Sequence, residues 1–427
     1  MAKLALRGGH AVRTRPYPPW PQAGPEETQW LERVLTSGRW FAGPRGDDPE
    51  ALGTLFGERF AELHKARFGL PVANGSVAIE IALRALGVKP GDEVIVPAYT
   101  FVSTATSVLM VGGIPVFADM DPDSYCLDPH DVTRRIGPNT RVILPVHLGG
   151  QMAQMRTLRE VAKSKGVAVV EDAAQAIDAS LEGKKAGNWG ELGTFSFQSN
   201  KTITAGEGGL VMTNDPDLAE KVVAFRAFGR TRGMRAERSS ALRSEWLSSN
   251  YRLSEFQAGV LLSQLERFPG QDARRQTNAS HLTAGLDQIP GIRHVRMNDS
   301  GMKHGYYYYL VRYEREQFGN LAPDRVSQAL NAEGIPFVPG DQQPIYRHPV
   351  FEIQNLAKFL CPQILERFRQ AVDLENPECP STEEACGCTL ILRHQVLLGE
   401  PQDMDDIVEA IWKVHDNIDE LRVRQEK

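Results

Sequence analysis

Three short segments hold residues whose types and positions suit chemistry. Lys201 lies in Phe195-Ser196-Phe197-Gln198-Ser199-Asn200-Lys201, between an apolar strand and the glycine-rich turn Gly206-Glu207-Gly208-Gly209. An ammonium there is costly to bury unless it is paired or used covalently; a solvated loop lysine is the plainer alternative. Asp172 follows the apolar run Val167-Ala168-Val169-Val170-Glu171, so its carboxylate sits just past a buried strand, either as a charge-stabilising group or as a helix N-cap. Asn74-Gly75-Ser76 heads a helix and offers free backbone N–H groups and a hydroxyl, which is where an anion binds, although any helix start shares that property.

These residues need elements to hold them. Asn74 to Leu86 reads as a helix with Ile79, Ala82, Leu83 and Leu86 on one face and Gly87 as its stop. Strands are expected at Glu93–Val96, Val116–Ala118, Val142–Val146, Val167–Val170, Gly193–Phe197 and Leu210–Thr213. Continuous apolar runs such as Val142-Ile143-Leu144 fit strands covered on both faces, which predicts an α/β fold with a mostly parallel sheet. Such sheets bind ligands at the carboxyl ends of their strands, where Asp172 and Lys201 fall. Near Ser254 the pattern changes: Ser254-Glu255-Phe256-Gln257 is a capping box that opens a long helix with Phe256, Val260, Leu261 and Leu265 on its apolar face. We therefore expect an N-terminal arm over residues 1–30, a large domain over 31–270, and a smaller α+β C-terminal domain over 271–427 containing the tyrosine-rich strand Tyr306 to Tyr313.

Composition narrows the function. The 427 residues carry a formal net charge of −6 and no run of Lys or Arg, which argues against a nucleic-acid partner. The five cysteines, Cys126, Cys361, Cys379, Cys386 and Cys388, are odd in number and scattered, which favours a reducing, cytoplasmic setting over a disulfide framework. Cys379, Cys386 and Cys388 lack paired zinc-ribbon spacing, and no metal site is expected. Residues 1–20 have no apolar signal-peptide core; their prolines suggest an extended lead-in arm. Val94 to Ala118 is 25 residues without a charge, but Pro97, Gly112, Gly113 and Pro115 break it and its centre is rich in Thr and Ser. It reads as strand, loop, short helix and strand rather than a membrane span. No P-loop is present, and Val211 stands where a dinucleotide fingerprint needs its last glycine.

Taken together, the segments resemble the fold-type I pyridoxal-phosphate aminotransferases of the DegT/DnrJ/EryC1/StrS family, which act on keto sugars and cyclitols. The resemblance runs from Pro18-Pro19-Trp20-Pro21 to Leu397-Leu398-Gly399-Glu400-Pro401. It is carried most specifically by Asn74 to Ser76, Val96 to Phe101, Glu171 to Gln175, Phe195 to Phe197 with Lys201, Gly206 to Gly209, and Ser249 to Gln257.

The resemblance implies roles that the chemistry requires. Lys201 would hold pyridoxal 5'-phosphate covalently and, once freed by the amino donor, act as general base; burial lowers a lysine's pKa to that end. Asp172 would pair with the pyridine nitrogen, Gln175 would lie near the ring oxygen, and Phe101 would stack on the ring, a core phenylalanine being the alternative. Gly75, Ser76 and Ser196 match the family's phosphate cup, and Asn250 matches a residue that reaches the phosphate of the neighbouring subunit, with Arg252 as a second candidate. This implies a homodimer with shared sites. The reaction implied is ping-pong transfer from L-glutamine or L-glutamate to a keto sugar or keto cyclitol. Gln198, Tyr125 to Pro129 and the Ser249 segment most resemble glutamine-dependent inosose aminotransferases of aminocyclitol antibiotic pathways. Nucleotide-linked keto-sugar aminotransferases, 3-amino-5-hydroxybenzoate-type synthases and a non-catalytic regulatory protein that kept the fold are the alternatives. One departure bears on the acceptor: Gly149 stands in Pro145-Val146-His147-Leu148-Gly149-Gly150 where many members carry an aromatic.

Overall fold

Apolar runs become strands wherever both faces can be covered. The computed structural model describes residues 3–43, 48–230, 246–295, 301–375 and 377–422. Its large sheet has seven strands: β1 (Phe68–Val72), β2 (Glu93–Pro97), β3 (Ile114–Ala118), β4 (Thr140–Ile143), β5 (Ala168–Asp172), β6 (Leu192–Ser196) and β7 (Gly209–Thr213), in the order β1-β7-β6-β5-β4-β2-β3. Pairing is parallel from β6 through β5, β4 and β2 to β3, and antiparallel only on the two sides of β7. Side chains alternate between faces as a period of two demands. Ile95, Ile143 and Val169 enter one apolar layer with Phe56, Phe60, Phe195 and Phe197, while Val94, Val96 and Val170 enter another with Ile79 and Ala82.

Helices cover both faces. Among them, α1 (Pro25–Ser37) and α2 (Leu52–His64) precede the sheet, α3 (Gly75–Ala85) follows β1, and α4 (Ser103–Met110) follows β2. The 25-residue uncharged run is thus β2, a loop, α4 and β3, and among the described residues no helix is long and apolar enough to cross a membrane. Strand β1 was not expected: Gly69 and Pro71 weaken its pattern, but an edge position tolerates both. There β1 pairs only with β7, and Gly69 packs so tightly on Gly57 of α2 that a β-carbon would meet the Gly57 carbonyl oxygen at 2.2 Å.

Helix α5 (Glu255–Leu286) opens on the expected capping box, with the Gln257 N–H donating to Ser254 Oγ at 3.3 Å and the Ser254 N–H donating to Gln257 Oε1 at 3.1 Å. Its first half packs into the large core through Leu261, Leu262 and Phe268; its last turns, through Ala279, Leu282 and Leu286, join a third apolar cluster. That cluster belongs to an antiparallel sheet of β8 (Ile292–His294), β9 (Tyr308–Tyr313), β10 (Val338–Pro339) and β11 (Thr389–Arg393), in the order β8-β9-β11-β10. The fold is therefore α/β, with a mostly parallel large sheet and a small antiparallel C-terminal one. A boundary near residue 270 falls inside α5, and we propose α5 as the element through which one unit passes into the other.

Candidate functional site

The carboxyl ends of β2, β5 and β6 converge on the start of α3. Asn74 caps that helix, its Oδ1 accepting from the Val77 N–H at 2.9 Å, which leaves the Gly75 and Ser76 N–H groups without a partner among the described residues. Ser196, the last residue of β6, lies directly against this turn: a β-carbon on Gly75 would stand 2.7 Å from that of Ser196. Only glycine allows the approach. Two free N–H groups, a helix N-terminus and two serine side chains form a nest for an anion.

Asp172 ends β5 and caps no helix. One of its carboxylate oxygens accepts from Thr104 Oγ1 at 3.0 Å and the other from the Ala174 N–H at 3.2 Å. Burial pushes its pKa up, against these hydrogen bonds and the nearby Lys201 charge. Thr104 lies in the first turn of α4 and its N–H donates to the Phe101 carbonyl at 3.1 Å, so the loop carrying Phe101 is tied to Asp172. Phe101 is 66% exposed and is not a core residue. Gln175 is buried and its Oε1 accepts from the Gly149 N–H at 2.6 Å.

Lys201 completes the group. Burial pushes its ammonium down to about 8, with the Asp172 carboxylate opposing, and its Nζ makes no hydrogen bond or ion pair among the described residues. It lies 4.2 Å from the centre of the Tyr307 ring. A partly neutral, unpartnered amine beside a buried carboxyl is a competent nucleophile and proton carrier.

The structure therefore brings together Gly75, Ser76, Ser196, Asp172, Gln175 and Lys201, with Phe101 open to solvent nearby. It does not bring Asn250 into contact with them. The Asn250 side chain is exposed and accepts from the Arg252 N–H at 3.3 Å, although the next residue, Tyr251, accepts from the Ala73 N–H at 2.8 Å. Exposed Phe41 and Phe228 flank this segment, bridging to Ser254 and donating to the Ser249 carbonyl, respectively.

Several supporting residues escaped the sequence reading. Glu171 is fully buried and accepts from the N–H groups of Gly187, Trp189 and Gly190 and from His147 Nε2, at 2.6 to 2.9 Å. Because His147 Nδ1 accepts from the Ala153 N–H at 3.1 Å, the proton lies on Nε2. This array stiffens the end of β5 beside Asp172. Trp20 donates to the Ser199 carbonyl at 3.0 Å and meets His394 edge-on at 4.4 Å, while His394 Nε2 donates to the Asn200 carbonyl at 3.0 Å. The proline-rich arm and the end of β11 thus clamp the two residues before Lys201. Leu310 and Tyr308 cover Gly149: a β-carbon there would lie 3.2 Å from Leu310 Cδ1 and 3.5 Å from that of Tyr308, and Gly149 has φ +65°. The C-terminal sheet therefore closes over this turn through β9. Among the described residues no group of three or more His, Cys, Asp or Glu is arranged to hold a metal, and all five cysteines are free.

Comparison with known proteins adds an independent line. The model of the DegT/DnrJ/EryC1/StrS aminotransferase family matches residues 21–412. The L-glutamine:2-deoxy-scyllo-inosose aminotransferase of Streptomyces kanamyceticus is 38% identical over 421 residues, covering 97% of each chain. The L-glutamine:scyllo-inosose aminotransferase of Streptomyces griseus is 35% identical over 426 residues, covering 98% of this chain and 99% of that one. Among solved structures, 3-amino-5-hydroxybenzoic acid synthase superposes with a TM-score of 0.80 at 31% identity, over 94% of this chain and 99% of its own.

Proposed function

Because the chain belongs to the DegT/DnrJ/EryC1/StrS aminotransferase family, we propose that it moves the amino group of L-glutamine to a keto cyclitol of the scyllo-inosose type, with pyridoxal 5'-phosphate as cofactor. The names of the relatives support the donor and the class of acceptor. The observation that carries the chemistry is Lys201, an unpartnered amine whose pKa burial brings down to about 8 beside a buried Asp172.

The residues present fit the cofactor. The nest of Gly75, Ser76 and Ser196 suits its phosphate dianion, Asp172 suits a protonated ring nitrogen, and the exposed Phe101 ring is free to cover a flat heterocycle. When bound, the cofactor supplies a carbonyl for amines and a ring that withdraws electrons from the donor's α-carbon.

The chain's own groups do the rest. Asp172 would hold the proton on the ring nitrogen, and its bonds from Thr104 and the Ala174 N–H fix the carboxylate. Gln175, its Oε1 held by the Gly149 N–H, would keep its amide N–H groups for the ring oxygen. Lys201 Nζ, free once the donor amine has taken its place, would accept the proton from the donor's α-carbon and deliver it to the cofactor's former aldehyde carbon. In the second half it would take a proton back from that cofactor carbon and deliver it to the carbon that held the acceptor's ketone. The clamp of Trp20 and His394 on Ser199 and Asn200 steadies the loop that carries this amine.

We further propose a homodimer in which Asn250 of a second copy completes the phosphate site. Its exposed carboxamide, and the exposed Phe41 and Phe228 beside it, support this. The deciding experiment loads purified protein with pyridoxal phosphate, exhausts its amine acceptor form with L-glutamine, and screens keto cyclitols and keto sugars for return of the yellow cofactor absorbance. Protein that takes up no pyridoxal phosphate, or whose uptake survives Lys201→Ala in covalent form, would refute the reading.

A further inference from the structure

The segment Gly340–Ile345 joins the small sheet to the rim of the site and is pinned at both ends. The Gly340 N–H donates to the Thr389 carbonyl at 2.9 Å, and the Ile345 N–H donates to the Ala98 carbonyl, just past β2, also at 2.9 Å. Between the pins Asp341, Gln342 and Gln343 are exposed, whereas Pro344 and Ile345 are buried. Gly340 sits against Tyr99, where a β-carbon would stand 2.6 Å from the tyrosine oxygen. That hydroxyl is buried with no hydrogen-bond partner among the described residues.

Asp341 connects this rim to Lys201. Burial, and after it the Asp341 carboxylate, pushes the Tyr99 hydroxyl up; burial pushes Tyr308 up as well, with a smaller contribution from Asp341. Tyr308 Oη donates to Tyr307 Oη at 3.2 Å, and the Tyr307 ring lies against Lys201 Nζ. One wall of the site therefore runs from the amine through two tyrosines to a carboxylate. Solvent reaches Asp341, yet the protein around it is dense enough to push its carboxyl up to about 6. Among the described residues no hydrogen bond or ion pair reaches that carboxylate, although it is ionised at neutral pH.

A carboxylate is an acceptor with room for two donors, and the tyrosine hydroxyls beside it both give and accept. We propose that Asp341 selects the acceptor: its carboxylate takes hydrogen bonds from neighbouring hydroxyls of a polyhydroxylated ring, with Tyr308 along the same edge. The inference rests on the amino-transfer reading and adds to it the group that recognises the acceptor. A site built to bond substrate hydroxyls rejects analogues that lack them, because its own polar groups are then left unpaired.

The test uses protein loaded with pyridoxal phosphate. Calorimetric titration with scyllo-inositol, which has the ring hydroxyls and no ketone, reads binding without turnover. Initial rates with L-glutamine and scyllo-inosose read KM and kcat. Asp341→Asn should weaken scyllo-inositol binding and raise the scyllo-inosose KM by between about tenfold and a hundredfold, the range for losing hydrogen bonds to a charged group. Its kcat should stay within about threefold of the parent, and Asp341→Glu should recover part of the affinity. Equal scyllo-inositol affinity and equal KM in Asp341→Asn would overturn the assignment and leave the amino-transfer reading standing. Binding of scyllo-inositol that depends on Asp341, in a parent protein that moves no amino group, would overturn that reading and leave the subsite standing.

Discussion

The neutral fraction of Lys201 is the quantity on which the proposed chemistry turns, and it can be measured without any substrate. With the ammonium pushed from 10.5 down to about 8, about a quarter of the Lys201 amine is neutral at about pH 7.5. At 10.5 the neutral share would be about one in a thousand, so the environment of this lysine raises its reactive form by about two hundredfold. Burial drives the shift and the Asp172 carboxylate opposes it. Cofactor-free protein mixed rapidly with pyridoxal phosphate at a series of pH values should form the yellow complex at a rate that rises with pH and levels off above a midpoint of about 8. Lys201→Ala supplies the blank. Asp172→Asn should move the midpoint lower, because it removes the one nearby charge that favours the ammonium. A midpoint near the ordinary 10.5, or a rise in Asp172→Asn, would refute the argument that burial sets this amine.

Other outcomes follow from the same geometry. Gly75→Ala places a β-carbon 2.7 Å from that of Ser196 and should force the two apart, weakening pyridoxal phosphate binding by about tenfold or more in an equilibrium titration; unchanged affinity would remove the phosphate role from this turn. Mixed dimers of Lys201→Ala and Asn250→Ala protomers should regain activity that neither parent shows, and no recovery in dimers confirmed by sedimentation would put the whole site in one chain. Burial pushes His64 down to about 4 and His304 down to about 3, so the unfolded chain takes up protons first as pH falls below about 6.5. Stability to urea should drop from about pH 6.5 towards about pH 4, each histidine adding about 1.4 kcal/mol per pH unit, and a flat profile across that window would contradict the burial of both rings.

The elements that hold the site were legible where local pattern and tertiary role agree. β2, β4 and β5 read as strands because Val94-Ile95-Val96, Val142-Ile143 and Val169-Val170 are apolar at every position, which only a sheet covered on both faces satisfies. Asn74 and Ser254 read as caps because their side chains serve the first turns of their own helices. β1 did not read as a strand because its Gly69 and Pro71 are explained by a neighbour, Gly57, that lies on another element. Residues 1–20 read as an extended arm, and nothing local in Trp20 shows that it docks on Ser199.

Local sequence is enough to place the segments that carry chemistry, since a lysine after an apolar strand, an aspartate after another and a capped glycine turn are each written within a few neighbouring residues. It also determined the parallel sheet that sets all three at one edge, because strand patterning and crossover lengths are local properties. Tertiary structure alone decided what those residues experience. Burial against Tyr307 lowers the pKa of the Lys201 amine to about 8, and the wall beyond it is Tyr308, Asp341 and Tyr99, drawn from three separate parts of the chain. A pKa depends on everything within several ångströms, and which distant segments come that close is settled by packing of the small sheet on the large one, not by sequence neighbours.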